Sequence, residues 1–384
     1  MADNNENKVL NVPPLRFPEF TEEWKAEQLD NIATLSKGIG ISKEQLSEDG
    51  EPCILYGELY TKYKSEIIKQ VESKTDINGS KLKRSKANDV IIPCSGETAV
   101  DIATARCVPF DNILFGGDLN VISLHQYDGA FMSYQLNGKR KYDIARVAQG
   151  VSIVHLYGEH LKAIKTYNPT LPEQQKIAKL LSLLDDRIDT QNKLIEDLKK
   201  LKSAISERLF KSVKGFTVLL SDLCDIVKGK QINGENLSDS GNYYVMNGGT
   251  EPSGYYDNYN VEASTISISE GGNSCGYVQF NTSPFWSGGH CYSIQNIADK
   301  VDNMYLYHYL KSNEDAIMKL RIGSGLPNIQ KKDLAMFKII VPKIEWQIKI
   351  STFLSSLERK AEIEERIQNV MQKQKLYLLQ QMFI

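Results

Sequence analysis

Apolar residues recur at Ile177, Leu181, Leu184, Ile188, Ile195 and Leu198 in steps of four and three, with the polar Gln191 taking one place in the series. A period near 3.5 is the seam of a paired helix, narrower than the stripe of a helix lying on a core. Gln191 either fixes the register of a buried seam or sits solvated near an end. A helix is predicted over 171–212, opened by Pro172 and by Glu173 in its first turn, and a second over 342–384, opened by Pro342 and Glu345. At 1.5 Å per residue, about thirty-nine residues of the first make a rod of about 58 Å. The positions expected to pack helix on helix are Ile177, Leu181, Leu184, Ile188, Leu194, Leu198 and Ile205 on the first, and Ile350, Leu354, Leu357, Ile367, Met371 and Leu378 on the second.

The intervening segments carry a different pattern. Short runs rich in β-branched and aromatic residues, such as Asp89-Val90-Ile91-Ile92 and Thr265-Ile266-Ser267-Ile268, are broken by the glycine pairs Gly116-Gly117, Gly271-Gly272 and Gly288-Gly289. The pattern predicts an α+β fold: two globular domains with curled antiparallel sheets, over 1–170 and 213–341, joined by two long helices in a pseudo-two-fold arrangement.

The two halves are copies of one plan. Gln174, Lys176, Ile177, Leu181, Ser182, Leu184, Lys200, Lys202 and Phe210 recur as Gln347, Lys349, Ile350, Leu354, Ser355, Leu357, Lys373, Lys375 and Phe383 at a constant spacing. Earlier in each half Lys37-Gly38 answers to Lys228-Gly229, and Gly57 to Gly248. The first half carries roughly 16 additional residues between Gly57 and about Val90, a lysine-rich stretch.

Composition narrows the function by exclusion. A formal charge of -2 and pI near 6.3 argue against a chain that holds nucleic acid by bulk electrostatics, so binding by this chain alone should be weak and binding with basic partners tight. Six scattered cysteines without a CxxC pair suggest buried free thiols, and five histidines show no metal-ligand spacing. No phosphate-cradling GxxxxGK[ST] and no methyltransferase box occurs, so no catalytic residue and no bound cofactor are expected. Asp185 and Asp186 are neighbours about 100° apart on a helix and cannot share a proton; they read as solvated or partner-facing. The N-terminal stretch has no secretory signal pattern and no run suits a membrane span, which points to the cytoplasm.

A duplicated domain on two helices suits a duplex read at two half-sites by two different readers. Candidate phosphate contacts are Lys81, Lys83, Arg84, Lys86, Lys139, Arg140, Lys141 and Arg146. Candidate base, sugar and phosphate contacts in the second half are Asn242, Tyr243, Tyr244, Asn247, Tyr255 and Asn258, where asparagine matches adenine edges and tyrosine the backbone. The shared Lys-Gly fits either a turn needing glycine or a phosphate-facing loop, and its place in both halves favours a scaffold turn. A coiled-coil adaptor without DNA binding is the alternative.

Leu15-Arg16-Phe17-Pro18-Glu19-Phe20 followed by Glu23-Trp24, the segment Pro172-Glu173-Gln174-Gln175-Lys176-Ile177-Ala178, and Leu378-Leu379-Gln380-Gln381-Met382-Phe383 resemble the specificity subunit of type I restriction-modification enzymes over nearly the whole chain. The second helix departs at its start, where Glu345-Trp346-Gln347 replaces the fuller motif. The resemblance implies two target-recognition domains reading a split sequence in double-stranded DNA, two long helices that pack antiparallel and space them, two methyltransferase subunits docked on the helices, and two restriction and translocase subunits joining them. S-adenosylmethionine, ATP and Mg2+ would be used by those partners, not by this chain.

Overall fold

The computed structural model describes residues 10–323, 325 and 327–384. It divides into two compact units, one made of the chain up to Asn192 together with Ile367–Ile384, the other of Lys193–Arg366. The long helices Leu171–Ser212 and Ile344–Gln381 therefore each give one half to each unit. No helix among the described residues is long and apolar enough to cross a membrane.

In the first unit Ala33–Lys37, Leu119–Leu124, Asp89–Pro93 and Arg106–Val108 form an antiparallel sheet in that order. Its central strand is buried from end to end, as its β-branched run requires. A second sheet orders Ser73–Thr75, Glu51–Ile54, Leu114–Phe115 and Lys83–Arg84. Here Glu51–Ile54 and Leu114–Phe115 pair in parallel, unlike the wholly antiparallel sheets expected. A parallel pair needs a long crossover, and the strands of the first sheet supply it.

The second unit repeats this plan. Asp225–Lys228, Cys291–Gln295, Thr265–Ser269 and Val278–Asn281 form the antiparallel sheet, and Tyr255–Tyr256, Tyr243–Met246 and Trp286–Ser287 the smaller one, again with one parallel pair. At the place of the strand Lys83–Arg84 it has a single antiparallel bridge, Val261 to Phe285. Matching hydrogen bonds locate the additional residues of the first half. Ser47 pairs with Lys74 as Ser238 pairs with Tyr255, while Ile92 lies opposite Asn120 as Ile268 lies opposite Tyr292. Most of the addition therefore precedes Lys74, around the helix Glu58–Thr61, and the rest surrounds the strand Lys83–Arg84.

The repeated residues dock the helices on the domains, each unit using the start of one helix and the end of the other. Gln174 accepts the amide of Asp128 at 2.9 Å and donates to the Pro169 carbonyl at 2.8 Å. Gln347 does the same with Asp302 and Pro342, at 2.9 and 2.8 Å. Ile177 and Leu181 pack with Trp24, Phe131 and Phe383, while Ile350 and Leu354 join the core that holds Phe210 and Tyr305. Lys375 bridges Asp185 and Glu66, and Lys202 pairs with Glu358. One contact is not repeated: Glu173 takes Arg16 through two bonds of 2.7 Å, and its place in the second helix is held by an exposed Trp346. That anchor gives the N-terminal Arg16 and Trp24 their role, Trp24 donating to the same carboxylate at 3.3 Å.

The helix halves run antiparallel within each unit, Asn192 meeting Gln368 in the first and Lys202 meeting Glu358 in the second. Gln191 is buried, the first of its two sequence readings. Two packing expectations fail: Leu194 and Ile367 are 41% and 39% exposed, and the seam turns Ile195 inward in place of Leu194. Asp185 also departs from expectation. It is buried, accepts from the Tyr134 hydroxyl at 2.6 Å and pairs with Lys375 at 2.7 Å; Asp186 is exposed and pairs with Lys69.

His308 is buried in the second unit with its Nε2 2.8 Å from the Ser355 hydroxyl, and burial pushes its pKa down to about 4. In the unfolded chain it takes a proton near pH 6.5, while the folded chain resists until about pH 4. Stability should therefore fall as pH drops through that window, by up to about 3 kcal/mol at its lower end. Denaturant titrations at pH 7 and pH 4.5 check this: His308→Gln should abolish that part of the acid dependence, and an unchanged difference would contradict it.

Candidate nucleic-acid interface

Lys37-Gly38 and Lys228-Gly229 end the first strand of each main sheet, and the reason for glycine is steric in both. A Cβ on Gly38 would lie 1.9 Å from the Gly116 carbonyl oxygen, and one on Gly229 2.1 Å from that of Gly288. The close approach brings the strand end against the glycine pair of the smaller sheet. Each lysine, ahead of its glycine, is left at the edge of this junction with an exposed side chain.

The basic candidates of the first half separate into two places. Lys81, Lys83, Arg84 and Lys86 lie on and beside the strand Lys83–Arg84, where Lys81 and Lys86 are exposed and Lys83 half-buried. Arg84 is already engaged in part: its guanidinium holds Glu51 through bonds of 2.6 and 3.0 Å, and that carboxylate raises its pKa. Lys139, Arg140, Lys141 and Arg146 lie instead beside the end of the second long helix. Arg140 donates to the Ile384 carbonyl at 2.9 Å and pairs with Asp143, so it anchors a chain end and is not the phosphate contact expected. Arg146 is well exposed but shares Asp143 at 3.2 Å. Lys139 is exposed, and Lys141 lines a groove with Glu66 and Lys375.

In the second unit Tyr243 lies opposite Tyr256, and Tyr244 opposite Tyr255, across the two strands of a hairpin. Alternation puts the two pairs on opposite faces. Tyr243 packs on Tyr259 with ring centroids 4.9 Å apart, and Tyr256 meets Trp286 at 5.1 Å, giving a half-exposed aromatic face. Tyr244 departs from the sugar or phosphate contact expected: half-buried, it stacks on the buried Phe285 at 5.6 Å and its hydroxyl is engaged in donating to Asn281 at 3.1 Å. Asn247 is likewise engaged, its Oδ1 accepting the amide of His290 at 3.0 Å. Asn242 and Asn258 are exposed, and Tyr255 is half-buried. Sequence reasoning passed over Trp286, Glu270 and His290, which the loops bring to the same end of the sheet as Lys228.

The comparisons with known proteins agree with this architecture. The family model described as "Type I restriction modification DNA specificity domain" matches residues 21–200 and 215–373, one match for each half. The chain belongs to that family. The type I restriction enzyme MjaVIII specificity subunit of Methanocaldococcus jannaschii is 24% identical over 94% of this chain and 91% of its own length. A candidate type I specificity subunit of Mycoplasma genitalium is 34% identical over 122 residues, and there this DNA specificity chain spans only 31% of the relative's length. The fold matches the crystal structure of a type I restriction-modification S subunit from M. genitalium with a TM-score of 0.69 at 20% identity, over 97% of this chain and 99% of that one.

Proposed function

We propose that this chain recognises a bipartite target in double-stranded DNA, each unit reading one half-site, and directs partner methyltransferase and endonuclease subunits to it. The observation that carries the reading is the duplication itself: two units keep the same hydrogen-bonded scaffold, Gln174 matching Gln347 contact for contact, while the side chains at their loop ends differ. Two copies that read the same bases would have no reason to diverge at those loop ends. The formal charge of -2 fits a reader that draws most of its phosphate affinity from partners.

The helices offer a docking face for the methyltransferases. Leu180 and Leu183 are exposed beside a groove that Leu184, Arg187, Met371 and Leu378 also line, and Phe353, at the position equivalent to Leu180, is exposed in the second unit. Leu194 and Ile367, equivalent to one another and turned out of the seam, extend the apolar outer surface. Catalysis, with S-adenosylmethionine, ATP and Mg2+, belongs in this reading to those partners.

Exchanging residues 1–170 for the matching domain of a relative with another specificity tests the proposal. Methylome sequencing should show one half-site changed, with the other half-site and the gap retained. Changes in both half-sites would overturn the modular reading.

A further inference from the structure

The two units serve as an internal comparison, because their backbones can be matched bond for bond at the loop ends. The Cys94 amide donates to the Asp118 carbonyl at 2.7 Å, and its carbonyl accepts from Leu156 at 2.8 Å. In the second unit the Glu270 amide donates to the His290 carbonyl at 2.9 Å, and its carbonyl accepts from Ile329 at 2.8 Å. Lys37 and Lys228 occupy the same strand end, opposite Asn120 and Tyr292 respectively. The scaffold thus keeps the lysine and the glycine after it, and changes the three side chains beside them.

In the second unit those side chains form a linked set. Glu270 is only 8% exposed, and its Oε1 accepts from Lys228 Nζ at 2.7 Å and from the Tyr292 hydroxyl at 3.0 Å. Its Oε2 is buried without a hydrogen-bond partner, and His290 Nδ1 stands 3.8 Å away. Lys228 and His290 are 54% and 62% exposed. A buried carboxylate with a free oxygen between two exposed donors lowers the freedom of both, and it leaves the far edge of the imidazole and the ammonium protons facing outward. Such a pair seeks acceptors in a fixed geometry.

We infer that Lys228 and His290, positioned by Glu270, are a specificity-determining element of the second unit that reads the acceptor edge of a purine, and that Lys37, Cys94 and Asp118 mark the equivalent element of the first. Lysine paired to guanine O6 and N7 is the recognised chemistry, with adenine N7 offering part of the same edge. An ion pair to a carboxylate does not prevent this, since the ammonium has three protons and one is used on Glu270. The inference rests on the DNA-recognition reading above.

The test uses the full chain assembled with its methyltransferase subunits and a panel of duplexes carrying each base at each target position. Glu270→Gln and His290→Ala should each lower discrimination about tenfold at one and the same base pair of one half-site, leaving the other positions as they were. Asp118→Asn should act on the other half-site. Replacing the purine at the affected position by its 7-deaza analogue should reduce wild-type binding, and comparing 7-deazaguanine with 7-deazaadenine identifies the base. His290 is exposed, so its variant reports even where Glu270→Gln does not assemble. Unchanged discrimination overturns the inference, as does a uniform loss of affinity with a shallower salt dependence, which would mark a phosphate contact. A wild-type complex that prefers no duplex would instead defeat the DNA-recognition reading itself.

Discussion

Replacing Lys375 with methionine is expected to cost about 3–5 kcal/mol of stability, because it strips the shared counter-ion from two buried carboxylates. Lys375 Nζ lies 2.6 Å from Glu66 and 2.7 Å from Asp185, and Asp185 also accepts from Tyr134. Burial already raises the pKa of Asp185 despite the opposing pull of Lys375, and Glu66 adds to the rise. Without the ammonium that rise should grow. A carboxyl whose folded pKa exceeds its unfolded value binds its proton more tightly when folded, so the deficit of the variant should shrink as pH falls from 8 to 5. Lys202→Met, the equivalent change in the second unit, should cost clearly less, since Glu358 is more exposed and is the one carboxylate among the described residues that pairs with that lysine. Denaturant unfolding of the full chain measures both; equal costs for the two variants, or a Lys375→Met deficit that widens in acid, would contradict the account.

That cluster also shows what a sequence discloses and what it withholds. Ile177, Leu181, Gln174 and Phe210 stand out from the sequence because each recurs in the other half, and each recurrence corresponds to a repeated contact in the structure. Asp185 misleads because it has no identical partner: its equivalent is Glu358, so the repeated acidic contact is hidden by a change of side-chain length. Leu194 misleads for a different reason. Two adjacent leucine-like residues, Leu194 and Ile195, satisfy the spacing equally well, and only the rotation of the packed helix selects between them.

The candidate interface was less legible still. A run of cations gives no sign of its partners, so Arg84 and Arg140 looked available although Glu51 and the Ile384 carbonyl occupy them. Tyr244 and Tyr243 are adjacent in a strand and necessarily face opposite ways, which separates an interior ring from a surface one. Glu270 and His290 are brought beside Lys228 from three different strand ends, and no spacing along the chain records that meeting.

Four residues inserted into the first long helix between Asp197 and Ser212 should widen the unspecified gap of the DNA target and leave both half-site sequences unchanged. Each residue adds 1.5 Å of rise, so the insertion lengthens the rod by about 6 Å, close to two base-pair steps of about 3.4 Å. The site of insertion decides whether the helix pair tolerates it. Directly after Asp197, it keeps Lys202 and Phe210 with the second unit's own core, whereas an insertion past Lys202 would pull Phe210 out of register with Tyr305 and Tyr309. Two ion pairs lie in the disturbed stretch, Lys199 with Glu365 at 2.6 Å and Lys200 with Glu196 at 4.0 Å, both between exposed side chains, so their loss costs little. A step of four residues also advances a 3.5-residue seam by little more than one turn, a local unwinding that paired helices accept. Methylome sequencing of cells carrying the lengthened chain with its partner subunits reads the outcome. An unaltered gap with full methylation would mean that the helices do not set the distance between half-sites, and altered bases in either half-site would mean that reading and spacing are not separate properties of the chain.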